Sequence, residues 1–421
     1  MRNEFQPTRY KVTDLDVAMV ENWTLVAMGP IDHGGVEGVR AALRTIASAG
    51  PHARVGLIPS SRTRNWVFEP DSLQRGVHEI PAVHTQDLPA TLAAAVRLAD
   101  VSLPIAVTVC GRYLIVRLAH GVGDGQTTVN LTRALADPAT RTGKVPQWCT
   151  ALQPTRFPLT AASWNLYASS PGKLLRSVTA GRPKEVSSQP ITAKWQPSHH
   201  VGFATSSPTA LGDLAAWRKA NAVPASLSSI FFASIVRALR EEGIKVDNTV
   251  KVLFDARRYL PENHRTLSNF AAGLDLSFDD AGSPASVGDG ISAAADSGRP
   301  LLNLAATSVK SRLGRITRRP VGDAVTSAPA HPRARIAYSD MSGAPQFKNF
   351  PLTGTPKESV YIATLLPESP EHIVIAVGRL GTLNNVSFSF HDNVFDAERI
   401  GSAFENACKN PLKFFREGIA E

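Results

Sequence analysis

The residues best suited to chemistry lie in the segment 120–125, which reads His-Gly-Val-Gly-Asp-Gly. It follows an apolar run at 113–119 that predicts a buried strand, and a helical pattern begins at Asp124. A histidine at the end of a strand, on a turn of small residues, lies where a substrate can reach an imidazole able to take a proton near neutral pH. The pattern indicates His120 as a general base. The alternative is a histidine that only makes hydrogen bonds within the fold.

Other reactive or metal-binding motifs are absent from the sequence. Gln126 stands where a dinucleotide loop would need its third glycine, and neither G-x-S-x-G nor H-E-x-x-H occurs. The three cysteines, Cys110, Cys149 and Cys408, lack the spacing of a zinc site or a disulfide framework. We therefore expect no metal and no tightly bound cofactor.

Length and composition narrow the class of protein further. The chain has 421 residues, 43% of them hydrophobic, which suits two or three packed domains. No apolar run reaches the roughly 18 residues of a membrane span, and the first residues lack a basic-then-apolar leader, so we expect a cytoplasmic protein. The net charge of +9 suits an anionic ligand or partner, namely nucleic acid, a phosphate-bearing cofactor or an acidic carrier protein. No long Lys/Arg run favours nucleic acid, which we do not expect as a partner.

The order of predicted elements indicates an α/β fold with mixed sheets. Two blocks of alternating helical and strand patterns flank a proline-rich stretch at 142–200. We therefore predict an N-terminal subdomain at 1–180, a crossover linker at 181–200 and a C-terminal subdomain at 201–421. Periodicity weakens at 279–333, which includes basic residues between Lys310 and Arg319. That basic segment is either a solvated helix face or a docking surface for phosphate or an acidic carrier domain.

The segment 120–125 resembles the H-x-x-x-D-G motif of the chloramphenicol acetyltransferase-like superfamily. This group includes condensation domains, polyketide-associated acyltransferases, wax ester synthases and BAHD acyltransferases. Segments of the second half also resemble the superfamily in the right order, at 252–261, 268–270, 339–345 and 388–395. The resemblance therefore covers most of the chain.

Three differences from these families indicate which branch of the superfamily the chain resembles most. Ala119 replaces the first of two histidines usual in condensation domains, Ser268 replaces an expected glycine, and the D-F-G-W-G motif of BAHD enzymes is missing. These differences favour a free-standing acyltransferase of the bacterial type over a plant enzyme.

The resemblance implies two acetyltransferase-like subdomains in a V, with His120 midway along a channel between them. It further implies transfer of an acyl group from acyl-CoA or a carrier-protein phosphopantetheine to a hydroxyl of a lipid or natural-product acceptor, without an acyl-enzyme. A condensation enzyme that forms an amide and a catalytically silent module that recruits a carrier protein are the alternatives. Since both halves lie within one chain, we expect a monomer.

The resemblance also assigns Asp124 a structural role, in which it pairs with an arginine and holds the turn. Arg258 is the second structural candidate at the site. The arginine that pairs with Asp124 is Arg54, Arg62 or Arg258, and the sequence does not choose among them.

Three further residues are candidates for stabilising or shaping the reacting centre. The N–H of Gly125 lies at a predicted helix start, where amides lack partners and the helix end is positive, so it is a candidate oxyanion donor. Ser339 is a second candidate donor from the other half, and Asn269 a candidate for shaping the channel. Their alternatives are a plain serine at a strand end and an asparagine that caps a turn.

Overall fold

A computed structural model describes residues 8–98, 102–150, 155, 157–179, 191–317, 327–356 and 358–416. The elements of the first half are β1 (Arg9–Lys11), α1 (Asp14–Ala18), β2 (Trp23–Gly29), α2 (Gly35–Ser48), β3 (Leu57–Ile58), β4 (Asn65–Phe68), α3 (Ser72–Arg75), β5 (Val77–Ile80), α4 (Leu88–Leu98), β6 (Ile105–Cys110), β7 (Tyr113–Ala119), α5 (Gly125–Ala136), α6 (Pro138–Arg141), α7 (Gln147–Thr150), α8 (Pro158–Tyr167) and α9 (Pro171–Thr179).

The elements of the second half are β8 (Ile191–Lys194), β9 (His199–Thr205), α10 (Ala210–Ala220), α11 (Leu227–Glu241), β10 (Thr249–Asp255), β11 (Ala271–Ser277), α12 (Pro284–Ser297), α13 (Arg299–Thr317), β12 (Ser327–Pro329), β13 (Arg335–Asp340), β14 (Val360–Leu365), β15 (His372–Leu380), β16 (Leu383–His391), α14 (Ala397–Lys409) and α15 (Lys413–Arg416). None of the described helices combines the length and apolarity needed to cross a membrane.

A five-stranded mixed sheet forms the centre of the first half, in the order β14-β2-β7-β6-β5. Every residue of β7 is buried, as its apolar run predicts. The adjacent hairpin turns at Gly111, whose φ of 59° is a left-handed conformation that glycine adopts without a Cβ clash. Helix α2 packs on this sheet through Val39, Leu43 and Ile46. This packing holds β7, and therefore the start of the segment 120–125, inside a rigid layer.

A six-stranded mixed sheet forms the centre of the second half, in the order β11-β10-β13-β15-β16-β9. Helices α11 and α14 cover one face, and side chains such as Phe231, Leu239 and Phe404 fill the core between helices and sheet. Two α/β layers with mixed sheets confirm the predicted fold class.

Strand β14 crosses from the second half into the sheet of the first, where it pairs with β2 along its whole length. Polar side chains of β16 bind the backbone of this crossing strand: Asn385 Oδ1 accepts from the Tyr361 N–H at 3.2 Å, and Ser387 Oγ accepts from the Ala363 N–H at 3.1 Å. The predicted division of the chain does not include this crossing, because it places all of 201–421 in the C-terminal subdomain.

Two further segments, predicted to be linker or less regular, contain helices or strands among the described residues. Within the predicted linker, residues 191–194 form β8 and 199–200 begin β9, whereas 181–190 lie outside the described residues. The segment 279–333, predicted to be less regular, contains helices α12 and α13. Small residues weaken the apolar periodicity of α12, although Ser283 caps its first turn by accepting from the Ser286 N–H. In the basic segment, Lys310 and Arg312 are exposed on α13, while Arg318 and Arg319 lie outside the described residues.

Three histidines lie at one end of neighbouring strands in the second sheet. His372 begins β15 opposite Arg335, and His391 ends β16 opposite His199, with the two ring centroids 4.8 Å apart. Burial lowers the pKa of His372 to about 4, and the charges of Lys251 and Arg335 act in the same direction. Burial lowers the pKa of His391 as well. Both imidazoles therefore bind a proton less readily in the folded chain than in the unfolded one.

We expect the free energy of unfolding to fall as the pH drops from about 6.5, the ordinary histidine pKa, towards about 4, the pKa of folded His372. In this window the unfolded chain takes up the protons first, so acid shifts the equilibrium away from the folded state. His372→Gln should reduce the slope, measured by urea unfolding at a series of pH values. An unchanged slope in the variant would contradict this assignment.

Candidate functional site

The candidate site begins where β7 ends. Ala119 is the last residue of the strand, His120–Val122 form a single 3-10 turn, and α5 starts at Gly125. The His120 backbone N–H donates to the Asn22 carbonyl at 2.8 Å, which continues the pairing of β7 with β2 past the strand end. The backbone of the histidine is therefore fixed by the first sheet.

The His120 side chain is partly exposed, so the ring is not enclosed in a core. Its Nδ1 atom is buried and has no hydrogen-bond partner among the described residues. In a Ser-His-Asp triad a carboxylate would occupy that position. Here the nearby Asp124 is engaged elsewhere, so the arrangement provides a lone imidazole rather than a triad.

Asp124 forms a buried ion pair with Arg257, which follows β10 in a short 3-10 helix. The two guanidinium nitrogens of Arg257 lie 2.9 and 3.2 Å from the two carboxylate oxygens, and the Phe270 N–H donates to Asp124 at 2.9 Å. Asp124 occupies the N-cap position of α5, but its side chain does not cap the helix. The partner is therefore Arg257 and not Arg258, which is exposed and lies over the Tyr259 ring.

The ion pair determines the charge of Asp124. Burial by itself raises the pKa of this carboxyl, but the charge and hydrogen bonds of Arg257, followed by the Phe270 N–H, outweigh that effect and hold the pKa below its ordinary value. Asp124 is therefore ionised throughout the neutral range. It serves as a fixed anion that holds the two halves together.

A second buried ion pair supports the turn from the other side. Asp16 of α1 lies 2.8 Å from Arg54, and the side chains of both residues are at most 2% exposed. Arg54 donates to the carbonyls of Gly121, at 3.0 Å, and Val122. The carbonyls of the 3-10 turn are therefore held by a cation whose charge is balanced by Asp16.

Asn269 completes this support from the second half. Its side-chain amide donates to the carbonyls of His120, at 2.9 Å, and Gly121, at 3.3 Å, and its backbone N–H donates to Asp16 at 2.8 Å. The contacts of Asn269 thus hold the turn, which matches the turn-stabilising alternative more closely than the channel-shaping role.

Met341 is another second-half residue that meets the start of α5. A Cβ added at Gly125 would lie 2.7 Å from the Met341 sulfur, so any larger residue at position 125 requires the end of the Met341 side chain to shift. Ser339 lies two residues earlier in β13, on the opposite face of the strand from Tyr338, which packs in the second core. Gly125 and Ser339 remain candidate oxyanion donors, and Met341 is an additional residue at this junction.

Sequence reasoning missed Arg257, Asp16, Arg54 as an anchor of the turn, and Met341. One local signal was available for Asp16: Thr13 and Asp16 form a capping box at the start of α1, with Thr13 Oγ1 donating to Asp16 at 2.8 Å. Among the described residues, no cluster of three or more His, Cys, Asp or Glu side chains is suited to hold a metal ion.

Comparison with solved structures relates this geometry to known proteins. The TRI3 trichothecene 15-O-acetyltransferase from Fusarium sporotrichioides superposes with a TM-score of 0.60 and 10% identity over 95% of each chain. The first condensation domain of the CDA synthetase gives 0.58 and 17%, over 95% of this chain and 94% of that domain. The epimerization domain of tyrocidine synthetase B gives 0.55 and 12% over the full length of both chains.

No family model matches the sequence, and no curated protein matches it either. The structural matches confirm the predicted resemblance at the level of the fold alone: the chain has the two-subdomain fold of these solved structures.

We predict that Asp124→Ala lowers the free energy of unfolding by about 3–5 kcal/mol, because it leaves Arg257 without its buried counter-charge. Removing both charges in Asp124→Leu/Arg257→Met should restore much of that loss. Arg258→Met, at the exposed neighbouring position, is the matched control and should change stability by no more than about 0.5 kcal/mol. Urea unfolding measures all three. An Asp124→Ala variant that is fully stable but inactive would instead indicate a direct chemical role.

We also predict that Gly125→Ala destabilises the fold by no more than about 1 kcal/mol, because the Met341 thioether beside the new methyl group ends a flexible side chain and can shift. Met341→Ala in the same chain should remove this contact, so the two substitutions should be non-additive. Gly401→Ala is the control: it also adds a methyl group within a helix, but nothing lies within 4 Å of that position. Additive effects in urea unfolding would show that the contact does not constrain Gly125.

Proposed function

We propose that this chain, which has the fold shared by condensation domains and an O-acetyltransferase, transfers an acyl group from a thioester to a hydroxyl of a lipid or natural-product acceptor. The thioester is acyl-CoA or the phosphopantetheine of a carrier protein, and His120 is the general base. The observation that carries the proposal is a partly exposed imidazole on a turn whose carbonyls are held from both halves.

The proposed reaction needs one proton carrier and no covalent intermediate on the enzyme. His120 takes the proton of the acceptor hydroxyl as its oxygen attacks the thioester carbonyl, and a tetrahedral oxyanion forms. The carbon–sulfur bond then breaks, and the thiol leaves with the proton that His120 returns. Positioned base catalysis of this kind contributes on the order of 10²–10⁴ in rate.

The N–H of Gly125 is the proposed donor to the oxyanion. First-turn amides of a helix have no partner within the helix, and the helix dipole places partial positive charge there. The neighbouring Met341 supports this role, because its side chain covers Gly125 and helps to exclude water from the donor. Ser339, on β13 of the second half, is the proposed second donor.

The rigidity of the turn supports base catalysis by His120 in particular. A general base is effective only when its nitrogen is held within hydrogen-bond reach of the proton it removes. Arg54 and Asn269 hold the turn carbonyls. The charge of Asp124 is balanced by Arg257, so this carboxylate does not form a hydrogen bond with the imidazole. The backbone of His120 is therefore held in place, while its imidazole ring stays partly exposed.

Amide formation is the second candidate, because similar structures include condensation domains as well as an O-acetyltransferase. An alcohol acceptor and an amine acceptor of the same carbon skeleton distinguish the two possibilities. Acceptor preference is read as the ratio of the two kcat/KM values, with thiol release and product mass followed for a panel of acyl-CoA and loaded carrier-protein donors. A ratio that favours the amine would replace ester formation by condensation.

We predict that His120→Ala lowers turnover by at least about 100-fold while its thermal unfolding matches that of the parent chain. The substitution removes only the imidazole, since the backbone contacts of residue 120 remain. His264→Ala, at an exposed position in the second half, is the control and should retain activity. Undiminished turnover in His120→Ala would exclude the proposed base. A parent chain that binds a carrier protein but turns over no thioester would instead identify a recruitment module.

A further inference from the structure

The large hydrophobic side chains that the described part of the chain leaves exposed all lie on or next to α8, α9 and α13. We call them the apolar patch: Phe157, Trp164, Leu174, Leu175, Val309 and Leu313. Trp164 is 77% exposed and Val309 57% exposed. Apolar surface concentrated in this way marks an interaction site more often than scattered single residues do.

The three helices form one continuous surface whose inner side is already filled. Helix α8 packs on α13 through buried Ala162, Leu301 and Leu304, and the Tyr167 hydroxyl donates to the Gly298 carbonyl at 2.9 Å. Helix α9 contacts both α8 and α13. The exposed side chains of Trp164 and Val309 are therefore not part of the buried cluster between α8 and α13.

The sequence around the apolar patch is free of acidic residues. Residues 138–184 contain seven Lys or Arg and no Asp or Glu, and residues 297–322 contain six Lys or Arg and no Asp or Glu. The other 32 of the 45 basic residues are outnumbered by the 36 acidic ones. The whole positive charge excess of the protein therefore comes from the two sequence segments that contain α8, α9 and α13.

We propose that the apolar patch docks the protein on the surface of an anionic lipid bilayer. An exposed tryptophan and aliphatic side chains enter the boundary between headgroups and acyl chains, while surrounding lysines and arginines bind anionic headgroups. Lys310 and Arg312, exposed beside Val309 on α13, supply such charges. The combination of exposed apolar side chains with exposed cations on the same helix matches this chemistry.

The same features disfavour a second copy of the chain as the occupant of the patch. Two copies meeting through the patch would bring the exposed Lys310 and Arg312 of each copy towards those of the other, and like charges disfavour such a contact. An acidic carrier protein would balance the charge, but it would not require apolar side chains spread over three helices. The bilayer accounts for both the charge and the apolar area.

The apolar patch lies behind the candidate site. Helix α13 packs against α1, which carries Asp16, and against β11, which follows Phe270. In this small core Leu301 and Leu304 of α13 lie with Leu15 and Phe270. A bilayer bound to the outer face is therefore one helix layer away from the elements that hold the turn. Docking does not depend on the proposed acyl transfer, because it is measured without any substrate.

Co-sedimentation with phosphatidylcholine vesicles, prepared with and without phosphatidylglycerol, tests the proposal. The parent chain should bind the anionic vesicles at least about tenfold more tightly than the neutral ones. Lys310→Glu/Arg312→Glu should weaken binding to anionic vesicles by about tenfold or more, and Trp164→Ser/Val309→Ser by about fivefold or more. Tryptophan fluorescence should shift to the blue on binding, and this shift should be lost in Trp164→Ser/Val309→Ser.

Arg218→Glu/Lys219→Glu is the matched control, because it reverses two exposed neighbouring charges on α10 in the second half. Its binding should change by less than about twofold, because α10 packs on α11 and is not one of the three helices of the patch. Circular dichroism confirms that each variant is folded. Equal binding to both kinds of vesicle, or equal loss in the control, would overturn the proposal. Two other results would also overturn the proposal. One is a dimer that Trp164→Ser/Val309→Ser abolishes. The other is binding of an acidic carrier protein, without vesicle binding, that the same variant abolishes.

Discussion

Two buried carboxylates in the first half hold a single backbone segment of the second half, and the candidate site depends on them. Asp16 accepts the N–H of Asn269, and Asp124 accepts the N–H of the next residue, Phe270. Each carboxylate is neutralised by its own arginine, from the first half for Asp16 and from the second half for Asp124. Consecutive amides are therefore fixed by two anions, one on α1 and one within the 120–125 turn itself.

Charged groups suit this position better than apolar packing because they act at defined distances and directions. A buried carboxylate without a partner costs several kcal/mol, so any slippage between the halves that separates Asp124 from Arg257 is strongly disfavoured. Arg257 also donates to the carbonyls of Thr266 and Ser268, which orders the chain leading to Asn269. The same contacts that join the halves thus shape the turn that carries His120.

Local pattern was sufficient for most elements of the fold, because strands such as β7 are continuous apolar runs and helices such as α11 have apolar periodicity, both with clear ends. Local pattern could not decide whether Arg257 or Arg258 pairs with Asp124, because adjacent residues of a short 3-10 helix differ only in the direction of their side chains. Asp16 was out of reach for another reason: its partner Asn269 lies 253 residues away. Likewise, the apolar run of β14 predicts burial but does not specify which sheet it joins.

The crossing of β14 also determines how the chain can be divided. A fragment ending near residue 180 would lack the strand that covers β2, and would present that sheet edge to the solvent as a template for aggregation. A fragment starting near residue 201 would carry β14 with no sheet to join, and the side chains of Asn385 and Ser387 would face water instead of its backbone. If the two fragments were co-expressed, the second would supply β14 to the sheet of the first. Their association would therefore be strand complementation, in which each fragment folds fully only with the other.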